Sequence, residues 1–145
     1  MSKGILVNEN IKLNVALSTK EEAIKFTGNI LVENGYVELG YIQKMMEREE
    51  LTSTYMGNFV AIPHGTEDSA DLVKSSGISF VQVPQGVDFG SGNIVKILIG
   101  IAGKDGEHLD ILSKIAIVLS EVENVEKLVS AKSPEEVISI FEGVN

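Results

Sequence analysis

The chain has 145 residues, about the length of one domain, and its 43% hydrophobic content is enough for an apolar core. Twelve lysines and arginines oppose 21 aspartates and glutamates, a net charge of −9, which disfavours binding to nucleic acid or to an anionic membrane surface. The absence of cysteine excludes disulfides, Cys-ligated metal centres and a thiol nucleophile, and no apolar run approaches the roughly 20 residues of a membrane span.

The chain shows no targeting or linker signal. Residues 1–8 turn polar too early for a signal peptide, so we expect a cytoplasmic protein that does not insert into the membrane. No low-complexity tract or repeat interrupts the sequence, and its three prolines stand where elements should begin or end. We therefore expect a single domain over 1–145.

The first third of the chain predicts two helices. Apolar residues at helical spacing favour a helix over 20–34, with Ser18 and Glu21 at the spacing of a capping box. Gly35 suits the left-handed conformation that commonly follows a helix end. A second helix is predicted over 39–50.

The second helix carries a charged stretch beside its apolar stripe. The stripe consists of Tyr41, Ile42, Met45 and Met46, and its methionines are expected to pack in the core. Three carboxylates are expected on a solvated face: Glu47, Glu49 and Glu50. Spacing alone favours an ion pair between Arg48 and one of these carboxylates.

The middle third predicts strands. Three short apolar or alternating runs indicate them: 59–62, 78–83 and 94–102. Pro63 and Pro84 are each expected to end a strand, and a glycine-rich turn over 86–93 precedes the last strand. The run 94–102 is nearly all apolar, as expected of a strand that is covered on both faces.

The final third is predicted to be helical again. Asp105 is the candidate N-cap of a helix that reaches Leu119, and a shorter helix follows over 122–130. The segment 133–136 has capping-box spacing with proline at the first helical position, and Gly143 is expected to end this last helix. The order of these elements predicts an α/β sandwich with a mixed sheet covered on both sides.

His64 is the first candidate for chemistry. It directly follows a predicted strand, and ligands in α/β sheets bind beyond the carboxyl ends of strands. Pro63 makes the approach to it rigid, and Gly65 leaves room for a bulky group. The hydroxyl of Thr66 is placed to form a hydrogen bond with such a group.

His108 is the second candidate, in the first turn of the helix that follows strand 94–102. A helix N-terminus disfavours imidazolium, so His108 is expected to stay neutral and to donate a hydrogen bond. The free N–H groups there also suit an anion such as a phosphoryl group. We expect the two strand-end loops to bring both histidines to one cleft, with His64 open to solvent.

The residues alone leave other interpretations open. A single histidine in a loop is commonly a solvated surface residue. Two histidines with scattered acidic residues are also compatible with a metal site, although no HExxH or similar spacing is present. The sequence has neither a P-loop, nor GxGxxG spacing, nor a nucleophile elbow.

Three blocks of sequence are distinctive. The central one is GNFVAIPHGT at 57–66; upstream lie ERE at 47–49 and TSTYMG at 52–57; downstream, IGIA at 99–102 leads to EHL at 107–109. In this order they resemble the mannitol and fructose (type-2) enzyme IIA family of the bacterial phosphotransferase system. The similarity spans essentially the whole chain and is far more specific than the Pro-His-Gly core alone.

The resemblance implies a phosphohistidine carrier with an α/β fold whose mostly parallel sheet lies between helices. Phospho-HPr would donate a phosphoryl group to His64, which would pass it to a cysteine in the IIB domain of a IICB mannitol permease. His108 matches the family's second active-site histidine, a hydrogen-bond donor to the phosphoryl group. Arg48 matches its active-site arginine, which stabilises charge, and family analogy suggests Nε2 as the phosphorylated nitrogen.

Elementary chemistry is compatible with this implication. Imidazole is a good nucleophile at neutral pH, and phosphoryl transfer mainly needs in-line positioning and stabilised oxygen charge, so no metal or nucleotide cofactor is expected. The charge of −9 would steer a basic partner if acidic residues rim the site. The alternative is a regulatory module of the same fold, in which phosphorylation of His64 controls a regulator. No regulator domain accompanies the sequence, so we expect transport.

Overall fold

The structure is a computed structural model that describes residues 5–142. Within that range the α-helices are Lys20–Glu33 (α1), Tyr41–Leu51 (α2), Glu107–Leu119 (α3), Val122–Val129 (α4) and Pro134–Ile140 (α5). The strands are Ile11–Lys12 (β1), Tyr55–Gly57 (β2), Val60–Ala61 (β3), Gly77–Asp88 (β4) and Ile94–Ala102 (β5). Short 3-10 helices occur at Asn8–Asn10 and Glu67–Leu72. None of the helices in this range is long and apolar enough to cross a bilayer.

The strands of the described residues form one mixed sheet in the order β1-β4-β5-β3-β2. Pairing is parallel between β1 and β4 and between β3 and β5, and antiparallel between β4 and β5 and between β2 and β3. The longest ladder joins β4 to β5, from Gly77 opposite Ala102 to Asp88 opposite Ile94. The predicted α/β class with a mixed sheet is confirmed.

Strand β5 sends its side chains alternately into two apolar cores. Ile97, Ile99 and Ile101 pack with buried residues of α3, α4 and α5. Leu98 and Ala102 pack with buried residues of α1 and α2 on the opposite face. All five side chains are fully buried, so the helices cover both faces of the sheet, as the apolar run predicted.

Helix α1 begins with a capping box one residue later than predicted. The Thr19 hydroxyl accepts a hydrogen bond from the Glu22 N–H at 3.1 Å, and the Glu22 carboxylate accepts one from the Thr19 N–H at 3.2 Å. The N–H of Ser18 also donates to that carboxylate at 2.9 Å, so Glu22, rather than Glu21, satisfies both backbone groups. Gly35 follows the helix with φ of 82°, as predicted.

The prediction of Asp105 as the N-cap of α3 is wrong. Gly106 is the N-cap, and both residues lie in the left-handed region, with φ of 56° at Asp105 and 83° at Gly106. The cause is a tight turn in which the Glu107 N–H donates to the Lys104 carbonyl at 3.1 Å. Helix α5 starts as predicted, after a serine that caps it, whereas its predicted end at Gly143 lies outside the described residues.

Strand β4 continues through Pro84 to Asp88, so the predicted strand end is wrong. The β4–β5 register shifts between Gln82 and Val87, which lets an irregular stretch pass without breaking the pairing. Strand β1 pairs with β4 only upstream of Pro84. The missing proline N–H therefore removes no ladder bond on that side.

Candidate active site

Two neighbouring parallel strands deliver the two histidines to the same edge of the sheet. Beyond the end of β3, His64 forms a parallel bridge with Ile101 of β5. The Ile101 N–H donates to the carbonyl of Pro63 at 3.0 Å, which fixes the backbone just before His64. After β5 the chain turns into α3, whose second residue is His108. Carboxyl ends of parallel strands thus build the site, as the sequence predicted.

The imidazole rings of His64 and His108 lie side by side. Their centroids are 5.7 Å apart and their planes are inclined by 35°, which confirms the predicted convergence. The expectation that His64 is open to solvent is wrong, because only 8% of the residue is exposed. Its ring folds back on its own strand end, where Nδ1 lies 2.8 Å from the carbonyl oxygen of Ile62.

This contact decides which ring nitrogen of His64 carries the proton. A carbonyl oxygen only accepts hydrogen bonds, so Nδ1 must be the N–H donor to Ile62. A neutral imidazole has a single N–H, which leaves the lone pair on Nε2. Of the two nitrogens, Nε2 is therefore the one available as a nucleophile.

Burial lowers the pKa of His64 below its usual value of 6.5. The hydrogen bond from Nδ1 to the Ile62 carbonyl opposes this shift, while the positive charge of Arg48 adds to it. Further smaller contributions come from His108, which lowers the pKa, and from Glu49, which raises it. The His64 ring is consequently neutral at pH 7.

We expect the pH titration of His64 in the folded protein to have its midpoint below 6.5. The unfolded chain binds this proton at a higher pH than the folded chain, so acidification below the unfolded pKa destabilises the fold. The penalty is absent above that pKa and grows as the pH falls toward the folded pKa. An NMR titration of the imidazole Cε1–H resonance measures the midpoint, and a value at or above 6.5 would contradict the burial argument.

A cleft of about 730 Å³ opens beside the histidine pair. All four residues singled out in the sequence line it: His64, His108, Arg48 and Thr66. The remaining lining side chains are acidic or apolar, apart from one glycine, and comprise Glu47, Leu51, Ile62, Gly65, Glu67, Asp68, Leu109 and Leu112. The cleft thus combines two imidazoles and a guanidinium with an acidic and apolar border.

Arg48, the single arginine of the sequence, lies in the last turn of α2. Its Nη1 donates to the carbonyl oxygen of Thr52 at 2.7 Å. The ion pair with a carboxylate of its own helix, favoured by spacing, is wrong: within residues 5–142 the guanidinium takes part in none of the ion pairs. The Thr52 carbonyl can accept from the guanidinium because Thr52 is the C-cap of α2, where the backbone leaves the helix.

Thr66 lines the cleft, but its hydroxyl is already engaged. Its Oγ1 donates to Oδ1 of Asp68. This hydrogen bond and the nearby Lys44 ammonium hold the pKa of Asp68 below its usual value. A donor contact from Thr66 to a bound group would require the hydroxyl to turn away from Asp68, so that role stays a prediction.

His108 is held in place by a close backbone approach. A side chain at Gly103 would collide with the backbone and Cβ of His108, so only glycine fits there. The loop between them is pinned by Ser76, whose Oγ accepts from the Lys104 N–H at 2.9 Å and donates to the carboxylate of Glu107. The position of the His108 ring therefore depends on this glycine and this serine.

Sequence reasoning missed Tyr41, which it assigned only to an apolar stripe. Tyr41 is 4% exposed, and its hydroxyl contacts the segment that follows His64. It accepts a hydrogen bond from the Gly65 N–H at 2.8 Å and donates one to the Ile101 carbonyl at 2.7 Å. No local sequence pattern predicts such a contact, because Gly65 and Ile101 lie 24 and 60 residues away from Tyr41 in the chain.

Glu49 is the second missed residue, and the solvated face predicted for it is wrong. It is only 6% exposed, and its Oε1 accepts hydrogen bonds from the N–H of Thr54 at 3.0 Å and from the Thr54 hydroxyl at 2.6 Å. Its Oε2 lies 3.8 Å from the Lys20 ammonium. The buried carboxylate thereby ties the end of α2 to the chain that leads into β2.

Metal binding finds no further support in the described part of the chain. Within residues 5–142 no group of three or more histidine, aspartate or glutamate side chains is arranged to hold an ion. The histidine pair has no third protein ligand there.

Comparison with known proteins agrees with the geometry. A mannitol-specific phosphotransferase enzyme IIA component from Geobacillus stearothermophilus is 66% identical over 145 residues, covering 100% of both chains. The crystal structure of IIA mannitol from Escherichia coli superposes with a TM-score of 0.88 at 41% identity, over 94% of this chain and 98% of that one. An NMR structure of enzyme IIA mannitol from Escherichia coli, in complex with phosphorylated enzyme IIB mannitol, gives 0.88 at 39%, over 95% and 97% of the chains.

The family model of the phosphoenolpyruvate-dependent sugar phosphotransferase system, EIIA 2, matches residues 4–144. Together with the full-length similarity to enzyme IIA components, this match establishes that the chain belongs to the EIIA 2 family of that phosphotransferase system.

Proposed function

We propose that the protein is the phosphocarrier of a mannitol phosphotransferase system. It accepts a phosphoryl group from phospho-HPr on His64 and passes it to the IIB domain of a IICB mannitol permease. The observation that carries this proposal is the tether of Nδ1 of His64 to the Ile62 carbonyl at 2.8 Å, which leaves Nε2 as the nucleophile beside His108. The mannitol-specific name of the full-length relative supports the choice of sugar alcohol.

We also propose that residues 1–145 form one EIIA domain that works in the cytoplasm. The family match over 4–144 and the single sheet shared by both apolar cores support one domain. The location follows from the proposed role, which the similarity to phosphotransferase enzyme IIA components supports.

Acceptance begins with the lone pair on Nε2 of His64. It attacks phosphorus in line with the bond to the donor; the new N–P bond forms while the old bond breaks, and its electron pair leaves with the donor. The imidazole gains positive charge as the bond forms. The Ile62 carbonyl, which accepts from Nδ1, stabilises that charge without any movement of the ring.

The phosphoryl oxygens are stabilised by neighbouring side chains. His108, 5.7 Å away between ring centroids, is placed to donate a hydrogen bond to them. Arg48 exchanges its hydrogen bond to the Thr52 carbonyl for a charge-assisted bond to a phosphoryl oxygen, which is the stronger of the two. Thr66 contributes a further contact if its hydroxyl leaves Asp68.

Transfer to IIB reverses the sequence of bonds. A thiolate of the IIB domain attacks phosphorus, the bond from phosphorus to Nε2 breaks, and the electron pair returns to His64. The imidazole is again neutral, with its proton on Nδ1. The cycle needs no metal or nucleotide at this site, since the phosphoryl group arrives already activated.

The experiment that tests this proposal is intact-mass spectrometry of the chain after incubation with phospho-HPr. We expect the mass of one added phosphoryl group, followed by its rapid transfer when the cognate mannitol IIB domain is added. A chain that gains no phosphoryl group would refute the carrier role. A chain that is phosphorylated but not discharged by IIB would favour the alternative, a regulatory module.

Apolar side chains beside the cleft give a prediction for partner docking. Leu109 is 67% exposed at the cleft border, in line with a surface that a partner covers. We expect Leu109→Ser to raise the KM for phospho-HPr about tenfold, as loss of an interface anchor does, with little change in kcat. Glu47, Glu67 and Asp68 on the same border favour a partner with a basic face.

Ile117 provides the matched control for this variant. It lies on the same helix, is 70% exposed and does not line the cleft. Ile117→Ser should leave both kinetic constants unchanged, as measured by quenched-flow phosphorylation over a range of donor concentrations. Equal KM values for the two variants would show that the cleft border does not dock the donor.

A further inference from the structure

The hydroxyl of Tyr41 lies between two backbone groups next to His64, the N–H of Gly65 and the carbonyl of Ile101. Tyr41 is the first residue of α2, and its buried side chain reaches the strand ends below the cleft. One oxygen accepts from the Gly65 N–H at 2.8 Å and donates to the Ile101 carbonyl at 2.7 Å. The phenol therefore joins α2, β5 and the segment after His64 at a single atom.

The pattern of a parallel ladder explains what this atom replaces. In a parallel bridge, the N–H of one residue donates to the carbonyl of the residue that precedes its partner. The carbonyl of the same residue accepts from the N–H of the residue that follows its partner. The first bond is present, from the Ile101 N–H to the Pro63 carbonyl at 3.0 Å. The second would join the Gly65 N–H to the Ile101 carbonyl, and there the Tyr41 hydroxyl mediates the contact.

Only a neutral hydroxyl can mediate between these two groups, since it must accept from one and donate to the other. Burial raises the pKa of Tyr41 above its usual value of 10.0, an effect that its hydrogen bond with Gly65 only partly opposes. The phenol therefore keeps its proton at neutral pH. The close fit also requires glycine, because a Cβ at Gly65 would lie 2.6 Å from Cε1 of Tyr41.

The bond affects the orientation of His64. Pro63 is fixed on one side of His64 by Ile101, and Gly65 is fixed on the other side by Tyr41. With Nδ1 bound to the Ile62 carbonyl as well, the ring has one orientation and Nε2 one direction. If the bond to Gly65 is lost, the backbone after His64 is free to rotate.

We propose that Tyr41 is a positioning residue for phosphoryl transfer at His64, acting through the N–H of Gly65; this role rests on the proposed function. Arg48 lies seven residues further along α2, on the same helix face as Tyr41.

The test compares Tyr41→Phe with Tyr36→Phe. Loss of the Tyr41 hydroxyl is expected to lower kcat for phosphorylation by phospho-HPr about tenfold with unchanged KM, and to speed amide hydrogen exchange at Gly65 at least about tenfold. Tyr36 is the control because its hydroxyl is also buried and accepts a hydrogen bond, from Asn10 at 3.0 Å, away from the cleft. Tyr36→Phe should leave kcat and Gly65 exchange at the wild-type values.

Each outcome decides the proposal. Unchanged kcat or unchanged Gly65 exchange in Tyr41→Phe would overturn it, and so would equal losses in the control, which would indicate general destabilisation. The exchange measurement needs no phosphoryl donor, so it still tests the hydrogen bond if the wild-type chain accepts no phosphoryl group and the carrier role fails. If Tyr41→Phe does not fold, rapid exchange of Gly65 in the wild-type protein overturns the proposal, and slow exchange supports it.

Discussion

The variant His64→Asn is expected to lose phosphorylation by phospho-HPr by at least about a thousandfold. Asparagine offers a side-chain N–H close to the position of Nδ1, so it can keep the hydrogen bond to the Ile62 carbonyl. It has no nitrogen lone pair at the position of Nε2. The substitution therefore removes the nucleophile while the local backbone contact persists.

The measurement is intact-mass spectrometry on samples quenched at alkaline pH, where phosphohistidine survives. Circular dichroism should show a folded His64→Asn protein, since the residue sits at a strand end and outside both apolar cores. His108→Gln is the companion variant: it should still gain one phosphoryl group, more slowly than the wild type. Labelling that persists in His64→Asn and disappears in His108→Gln would reverse the assignment of the two histidines.

The histidine site is readable from the sequence because its signals are local. Pro63 and Gly65 flank His64 directly, and a buried strand followed by a short loop leads to His108. Strand β5 is predicted at its observed bounds, since a run of nine almost entirely apolar residues favours a strand that is buried on both faces. Signals of this kind depend only on neighbours in the chain.

Tyr41 and Glu49 escape the same reasoning because their roles depend on distant parts of the chain. Tyr41 occupies an apolar position of α2. Its hydrogen-bond partner Ile101 lies 60 residues away in the chain, and only the fold brings the two residues together. Glu49 belongs to a run of acidic residues that reads as solvated, yet Thr54 buries it by supplying two donors. A carboxylate is buried where the fold supplies hydrogen-bond donors to it, and the sequence alone does not show the positions of those donors.

Short strands are missed for a related reason. Strands β1 and β2 have two and three residues, too few for an alternating pattern to be recognised. They exist because neighbouring strands, β4 and β3, offer edges to pair with. The same tertiary context carries β4 through Pro84, where local rules end the strand.

The charges of the chain are arranged so that one cation serves the cleft. Within the described residues, the cleft lining contains three carboxylates and a single permanently cationic side chain, Arg48. Lys44, one helical turn earlier, lies within ion-pair distance of Glu47 and Asp68 and is not part of the lining. The negative charge that arrives with a phosphoryl group therefore depends on Arg48 for compensation.

We expect Arg48→Gln to lower kcat for phosphoryl acceptance by about a hundredfold to a thousandfold, the range for loss of one preorganised donor to transition-state charge. Arg48→Lys keeps the charge and loses the planar fork, so its loss should be smaller, about tenfold. Because the guanidinium lowers the pKa of His64, the His64 titration midpoint should also rise in Arg48→Gln. The Arg48 hydrogen bond to Thr52 is exposed, so the fold should survive its removal.

Lys44→Gln separates this role from a general effect of charge. It removes the same charge from the same helix, but the ammonium is already engaged by Glu47 and Asp68. We expect its kcat and its His64 titration midpoint to match the wild type, as measured by quenched flow and NMR. If both variants lose kcat equally, the loss of one positive charge from α2 would account for the effect, and the assignment of Arg48 to a direct contact with the phosphoryl group would be wrong. A selective loss in Arg48→Gln, accompanied by the rise in the His64 midpoint, requires the guanidinium to act inside the cleft.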